Sequence, residues 1–436
     1  MKKFIERRDS LISKMNDNSV CFILCAPELV RNRDVYYPYR QDSYFYYLTG
    51  FCEAKSLLVL EKRNNASLVT LFLQESSPKD EIWTGIRMGV EAAKEKLAIE
   101  RTLAYTELSS HLSEMISGKD HIYIDVNDNH VELRDQVLRE FKSLNSFARK
   151  GKTAPDQIIN PKSFLDEMRL FKSEDEVEDM RRASEITAFA HKEAMRMASK
   201  CSYEYELRSY LESAFMFKGS ERNAYSSIVA SGSNATILHY EERHGEISED
   251  DIILIDAGCE FNHYASDITR SFPKSGRFSH LQKDIYQLVL DSQKAAIEMV
   301  KPGLTLIEIH ELVVKVLTQG LLDLKLLDGN IDECIEKKSY RKFYMHNTSH
   351  WIGMDVHDVG IYEFDSKPRK LEPGMVFTIE PGLYFNPYYS KEETAYDGIG
   401  IRIEDDILVT SDGYENLNDN MIKEISDIEA LMSEGQ

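Results

Sequence analysis

The chain has 436 residues, 42% hydrophobic and 29% charged, the composition of a soluble globular protein too long for one typical core, so two domains are expected. Its formal charge is −21, from 53 Lys plus Arg against 74 Asp plus Glu, which disfavours nucleic acid and anionic membrane as partners. The longest apolar runs, such as Val20–Ala26, are strand-sized, and Glu6, Arg7, Arg8 and Asp9 stand where a signal peptide needs an apolar core. Six cysteines (Cys21, Cys25, Cys52, Cys201, Cys259, Cys334) show no paired zinc spacing and read as reduced thiols of a cytoplasmic protein.

Residues 1–160 alternate strand-like and helix-like segments. Val20–Cys25, Ser56–Leu60, Leu68–Leu73 and His121–Val126 read as strands, while Gly89–Ile99 and Glu132–Phe141 carry helical spacing. This α/β domain has no dense set of ligand-type residues. Tyr36–Gly50 packs seven Tyr or Phe into fifteen positions, and Asp80–Gly89 carries Trp83; both read as aromatic packing or interface surface. Asn160-Pro161 breaks the pattern, and the domain boundary is placed at 165/166. Ser173 with Glu176 forms a capping box for a helix running to about Lys200. Further helices are expected at Tyr203–Lys218, Ser279–Val300 and, from the Thr305/Glu308 capping box, Thr305–Leu322. Strands at Met375–Glu380, Ile399–Glu404 and Asp406–Val409 precede a short acidic helix.

The chemistry concentrates in the second domain. Residues 251–272 (DIILIDAGCEFNHYASDITRSF) read as a hairpin whose apolar first strand delivers Asp256 and whose second delivers Asp267. A turn centred on Phe261-Asn262 would place those carboxylates side by side. Two bare carboxylates at one buried spot repel, so they would share a proton or hold a cation; the plainer alternative is two solvated strand-end aspartates. Glu380 in FTIEPGLY and Glu404 in GIGIRIEDD also sit in or beside apolar strand patterns, where a lone charge is costly. Four such acids and a neutral imidazole, His350 in HNTSHWIGMDVHD, would balance two divalent cations. Oxygen-rich ligation without thiolates suits Mn(II), with Co(II), Fe(II) or Zn(II) as alternatives. His346 and His350 have i, i+4 spacing, but no Glu follows His346 and Gly353 argues against a helix. At most one of His346, His350 and His357 reads as a ligand. His239, in ATILHYEE, reads by itself as a buried histidine at a strand end.

LIDAG with SDITRSF, then SHWIGMDVHDVG, TIEPGLY and GIGIRIEDD, in combination resemble the pita-bread metallopeptidases, and among them the aminopeptidase P (Xaa-Pro aminopeptidase) family. YPYRQDSYFYYLTGF and EIWTGIRMG extend the likeness into the first domain. The resemblance implies an α/β domain over 1–165, serving oligomerisation and as a substrate-site lid. It implies over 166–436 an α+β catalytic domain with a mostly antiparallel curved sheet flanked by helices. It assigns metal ligation to Asp256, Asp267, His350, Glu380 and Glu404, with Asp256 on one metal, His350 and Glu380 on the other, and Asp267 and Glu404 bridging. His239 and His357 match histidines beside the scissile carbonyl and the proline ring. His346, Tyr384 and Arg402 match pocket residues, and Trp83 a tryptophan that in oligomeric relatives reaches a neighbouring subunit's site. The activity implied is removal of the first residue from peptides with proline second, by a metal-bridging hydroxide with Glu380 as proton shuttle, in a cytoplasmic homodimer or homotetramer. One departure is Tyr44, where relatives often carry an acid after the serine, so a substrate-amine anchor there is missing. The rival of the same fold is an Xaa-Pro dipeptidase (prolidase), and a methionine aminopeptidase fits the long first domain less well. A metal-free binding module, or a creatine-type hydrolase, is argued against by five intact ligand positions.

Overall fold

The computed structural model describes residues 1–144, 152–242 and 244–435. The chain divides into two compact units, Met1–Asp166 and Glu167–Gln436.

The first unit is built on a mixed six-stranded sheet with strand order Arg101–Ala104, Ala66–Leu73, Leu57–Arg63, Ser19–Leu24, His121–Tyr123, Gln157–Ile159. Its middle is antiparallel. Leu57–Arg63 turns directly into Ala66–Leu73 through Asn64 and Asn65, both at positive φ, the backbone a two-residue hairpin turn requires. Outer pairs are parallel. An amphipathic helix, Lys2–Lys14, opens the chain and buries Phe4, Leu11 and Ile12. Arg7 and Arg8 on it are buried too, because they serve as caps. Arg7 donates to the Tyr47 carbonyl, and Arg8 to those of Leu48, Leu97 and Ala98. These carbonyls lie where the helices Ser43–Thr49 and Val90–Lys96 end, and the last turn of a helix leaves such groups without intrahelical partners. The aromatic stretch divides: Phe45 and Tyr47 are buried on Ser43–Thr49, whereas Tyr36 and Tyr37 are exposed. The short helix Pro78–Thr84 buries nothing; Ile82, Trp83 and Ile86 are 82%, 86% and 93% exposed.

The second unit is α+β, and its sheets are antiparallel throughout the described residues. One sheet pairs Ile228–Ser231, Ile252–Ala257 and Ile268–Pro273; another pairs Val376–Ile379, Asp405–Val409 and Tyr414–Asn416; Gly382–Tyr384 pairs with Gly400–Arg402. Helices Glu174–Met197, Glu204–Phe217, His280–Met299 and Leu306–Asp323 flank them. Their apolar faces share one core with the strands, including Ile186, Leu211, Ile253, Phe272, Val289, Leu317, Phe377 and Ile407. The Ser173/Glu176 and Thr305/Glu308 capping boxes are both formed. Cross-links between sheets converge on the strand ends: Glu404 N–H donates to the Thr269 carbonyl, Thr378 N–H to that of His350, and Glu380 N–H to that of Thr348. Those links carry four separate segments to one place.

The hairpin register differs from expectation. The turn falls at Asn262-His263, with φ of 48° and 67°, one residue later than Phe261-Asn262. Phe261 stays in the strand, paired with Tyr264 and packed on the core, and leaves the left-handed positions to Asn and His, which tolerate them better. Asp256 therefore pairs with Thr269, not Asp267. The two acids still share a face, as diagonal neighbours.

Candidate metal centre

A cavity of about 790 Å³ in the second unit is lined by Asp256, Asp267, His350, Glu380, Glu404, His239, His346, His357 and Arg402, among others. Asp256 arrives at the end of the Ile252–Ala257 strand, and Asp267 immediately precedes Ile268–Pro273. Glu380 follows Val376–Ile379, and Glu404 follows Gly400–Arg402. His350 sits on an extended segment beside Val376–Ile379, not on a helix, because its backbone pairs with Thr378.

The ligand atoms face one another. Asp267, His350 and Glu404 offer donors all within 4.8 Å of each other. His350 Nε2 lies 3.5 Å from Asp267, 3.8 Å from Glu380 and 3.9 Å from Glu404. Donors that sit roughly 2.0–2.2 Å from a single ion lie about 3–4 Å apart. His350 Nδ1 is 3.0 Å from the Trp351 carbonyl; that acceptor takes the Nδ1 proton and leaves Nε2 with a free lone pair. Tyr225 places its hydroxyl between Asp256 Oδ1, at 2.7 Å, and Asp267 Oδ1. Thr269 donates to Glu404 at 2.6 Å, and Arg402 to Asp256 at 2.5 Å. Each of these acids is thus aimed by a neighbour.

Burial makes the cluster expensive to charge. Burial pushes the Asp256 carboxyl above its ordinary range; Arg402 pulls it back and Asp267 adds repulsion. Burial, then repulsion from Asp267, Glu380 and Asp256, holds Glu404 well above the usual carboxylate range. Glu380 is pushed up to about 7 by burial, against the pull of His350 and Arg402. For His350 burial works downward, but its hydrogen bond and attraction to Asp267, with Glu380, outweigh it and raise the ring to about 9. Burial also opposes ionisation of Asp267, yet the His350 contact wins and holds it below its ordinary value. Without cations the cluster is an Asp267–His350 ion pair among acids that keep protons. An all-oxygen set plus one imidazole, each pre-aimed, fits divalent cations that would displace those protons.

The remaining expected residues divide three ways. His357 packs edge-on against His350, with ring centroids 4.5 Å apart. His346 accepts or donates at the Tyr384 hydroxyl, 2.8 Å away, and Arg402 donates to that same hydroxyl at 2.9 Å. Tyr384 itself is buried to 1% and stands behind these two. His239 departs from its plain reading: it is exposed, in a turn after the 3₁₀ segment Gly232–Thr236, on the cavity wall. The sequence after Thr236 continues as turn rather than strand, so there is no sheet to bury it. Trp83 belongs to the first unit, on the exposed helix described above. Sequence reasoning missed Tyr225, Arg208 and Glu241, which also line the cavity. Tyr225 reaches it because Ile228–Ser231 pairs with Ile252–Ala257, Ile228 opposite Asp256, and no local pattern signals that pairing. Beneath the loop carrying His350 and His357, Asp358 accepts from Arg169 at 2.5 Å and Lys172 at 3.2 Å, all three side chains 1% exposed.

Residues 178–411 match the model of metallopeptidase family M24, and residues 4–123 that of the aminopeptidase P N-terminal domain. The chain is 42% identical over 432 residues to the Xaa-Pro aminopeptidase of Escherichia coli (strain K12), covering 99% of this chain and 97% of that one. It is 32% identical over 433 residues to the mitochondrial intermediate cleaving peptidase 55 of Arabidopsis thaliana, covering 99% and 83%. Among solved structures, zinc-substituted E. coli aminopeptidase P in complex with product is similar with a TM-score of 0.95 at 42% identity, covering 100% of this chain and 98% of that one. Aminopeptidase PepP of Pseudomonas aeruginosa gives 0.96 at 42% identity with the same coverage. Matched in both units and along its whole length, the chain belongs to metallopeptidase family M24, in the group that joins this catalytic domain to an aminopeptidase P N-terminal domain.

Proposed function

We propose that the chain is an Xaa-Pro aminopeptidase, a hydrolase that frees the first residue of peptides with proline in second position. The observation that carries this reading is the convergence of Asp256, Asp267, His350, Glu380 and Glu404 on one cavity, in a chain 42% identical over its length to an enzyme of that activity. Asp256 would hold one cation, His350 and Glu380 the other, and Asp267 and Glu404 would bridge; Mn(II) suits this donor set, with Co(II), Fe(II) or Zn(II) as alternatives. Bound there, a pair of divalent cations supplies a water of lowered pKa and Lewis-acid polarisation of the scissile carbonyl.

The chain's own residues do the rest. An Xaa-Pro bond is a tertiary amide without an N–H, so recognition falls to shape and to groups facing the carbonyl and ring. His239, exposed on the wall, donates to the carbonyl oxygen as charge develops on it. His357, packed on His350, flanks the ring. Glu380 accepts a proton from the attacking water and delivers it to the proline nitrogen, which must be protonated to leave. The chain of His346, Tyr384, Arg402 and Asp256 holds the back of the pocket in one arrangement. Assembly as a homodimer or homotetramer is supported by the exposed Ile82, Trp83 and Ile86 of the first unit, and a cytoplasmic setting by six free thiols. Assaying Xaa-Pro-Xaa peptides and an Xaa-Pro dipeptide, with and without added Mn(II), tests the proposal. Metal-dependent cleavage before proline in the longer peptides is expected; strong preference for the dipeptide would make the chain a prolidase.

A further inference from the structure

Resting on that reading, the charges of the cavity wall bear on which peptides it takes. Arg208 and Arg402 are the arginines or lysines among the described lining residues, and both are engaged. Arg402 pairs with Asp256 at 2.5 Å, and Arg208 Nε with Glu212 at 2.6 Å, their side chains 15% and 28% exposed. Glu241 is different. It lines the same wall as His239 and Tyr240 and is exposed, and no described residue forms an ion pair or hydrogen bond with its carboxylate.

A carboxylate leaving water needs a paired cation or a set of donors. An Xaa-Pro dipeptide brings its own carboxylate one residue from the cleaved bond, where this wall offers no uncommitted arginine or lysine. A longer peptide presents a neutral amide there instead. The ammonium of any substrate lies two bonds from the scissile carbonyl, so it is confined to the neighbourhood of the metal ligands. A cation meeting the exposed Glu241 must therefore come from a long side chain. We propose that Glu241 is a subsite for the basic side chain of a residue following the proline, so that the cavity selects extended, cationic peptides over Xaa-Pro dipeptides.

The test uses the Mn(II)-loaded full chain with Ala-Pro-Lys-Ala, Ala-Pro-Glu-Ala, Lys-Pro-Ala-Ala and Ala-Pro, at low and high ionic strength. At low salt kcat/KM for the Lys peptide should exceed that for the Glu peptide by about two- to ten-fold, the range of an exposed ion pair set against a repulsion of similar size. The difference should reside in KM, shrink at high salt, fall towards one in Glu241→Gln and invert in Glu241→Lys. A ratio near one in the unaltered chain, or one unchanged in both variants, overturns the proposal while leaving the peptidase reading intact. So does an equal gain from Lys in first position, or turnover of Ala-Pro equal to that of the tetrapeptides. Failure to cleave any of the four would refute the peptidase reading and this subsite with it.

Discussion

Stripped of cations, the second unit should lose stability as the pH rises, which is the reverse of an ordinary acid-sensitive protein. His350 is raised from 6.5 to about 9 by Asp267 and Glu380 against the effect of burial. A group whose proton is held more tightly in the folded state stabilises it fully below the unfolded pKa and ceases to as the pH passes the folded one. Raising the pH from about 6.5 to 9 therefore removes on the order of 3 kcal/mol from His350 alone, at about 1.4 kcal/mol for each tenfold change in proton affinity. Glu380, pushed up to about 7 from 4.5, works the same way over the lower window, since the unfolded chain sheds that proton sooner. Cations reverse the sign because they bind the deprotonated ligands. Chemical denaturation of chelator-treated and Mn(II)-loaded protein, followed from pH 5.5 to 9, measures both. The gap between loaded and stripped protein should widen across that range, and metal binding should release protons into the buffer. A gap that is constant or narrows with pH would refute the idea that protons and cations compete for this cluster.

Glu380→Gln should lower kcat by about a hundredfold or more, the scale of a lost general acid–base, in protein shown by metal analysis to be loaded; near-normal turnover would remove Glu380 from the proton-transfer role. Tyr225→Phe deletes the hydroxyl between Asp256 and Asp267 and should weaken metal binding roughly ten- to a hundredfold, read by titration against a competing chelator. Gly258→Ala would set a methyl 1.6 Å from the Ser266 carbonyl oxygen; the hairpin bearing both aspartates must open, so loss of soluble, folded second unit is expected by circular dichroism. Asp358→Asn leaves Arg169 and Lys172 buried without their shared counter-charge and should cost about 3–5 kcal/mol in denaturant unfolding.

Much of the architecture is legible in the sequence because it depends on short-range rules. The capping boxes at Ser173/Glu176 and Thr305/Glu308 mark their helix starts, and apolar runs ending in acids mark the strands that carry Asp256 and Glu380. The opening helix, Lys2–Lys14, is hidden because its arginines look solvent-facing until the helix ends they cap are known. The hairpin is legible, but one residue early, since turn residues Asn262 and His263 compete with their neighbours on backbone energies of a fraction of a kcal/mol or so.

By itself the sequence determined that the second half holds more buried acid than protein alone can neutralise, because a carboxylate carried into the interior by an apolar strand must keep a proton or meet a cation. Only the tertiary structure decided which neighbours aim those acids. Tyr225 between two aspartates, Thr269 on Glu404, the Trp351 carbonyl on His350 and the unpaired Glu241 at the wall all come from segments far apart in the chain. Their meeting depends on strand register and on the links between sheets, and no local run of residues encodes that.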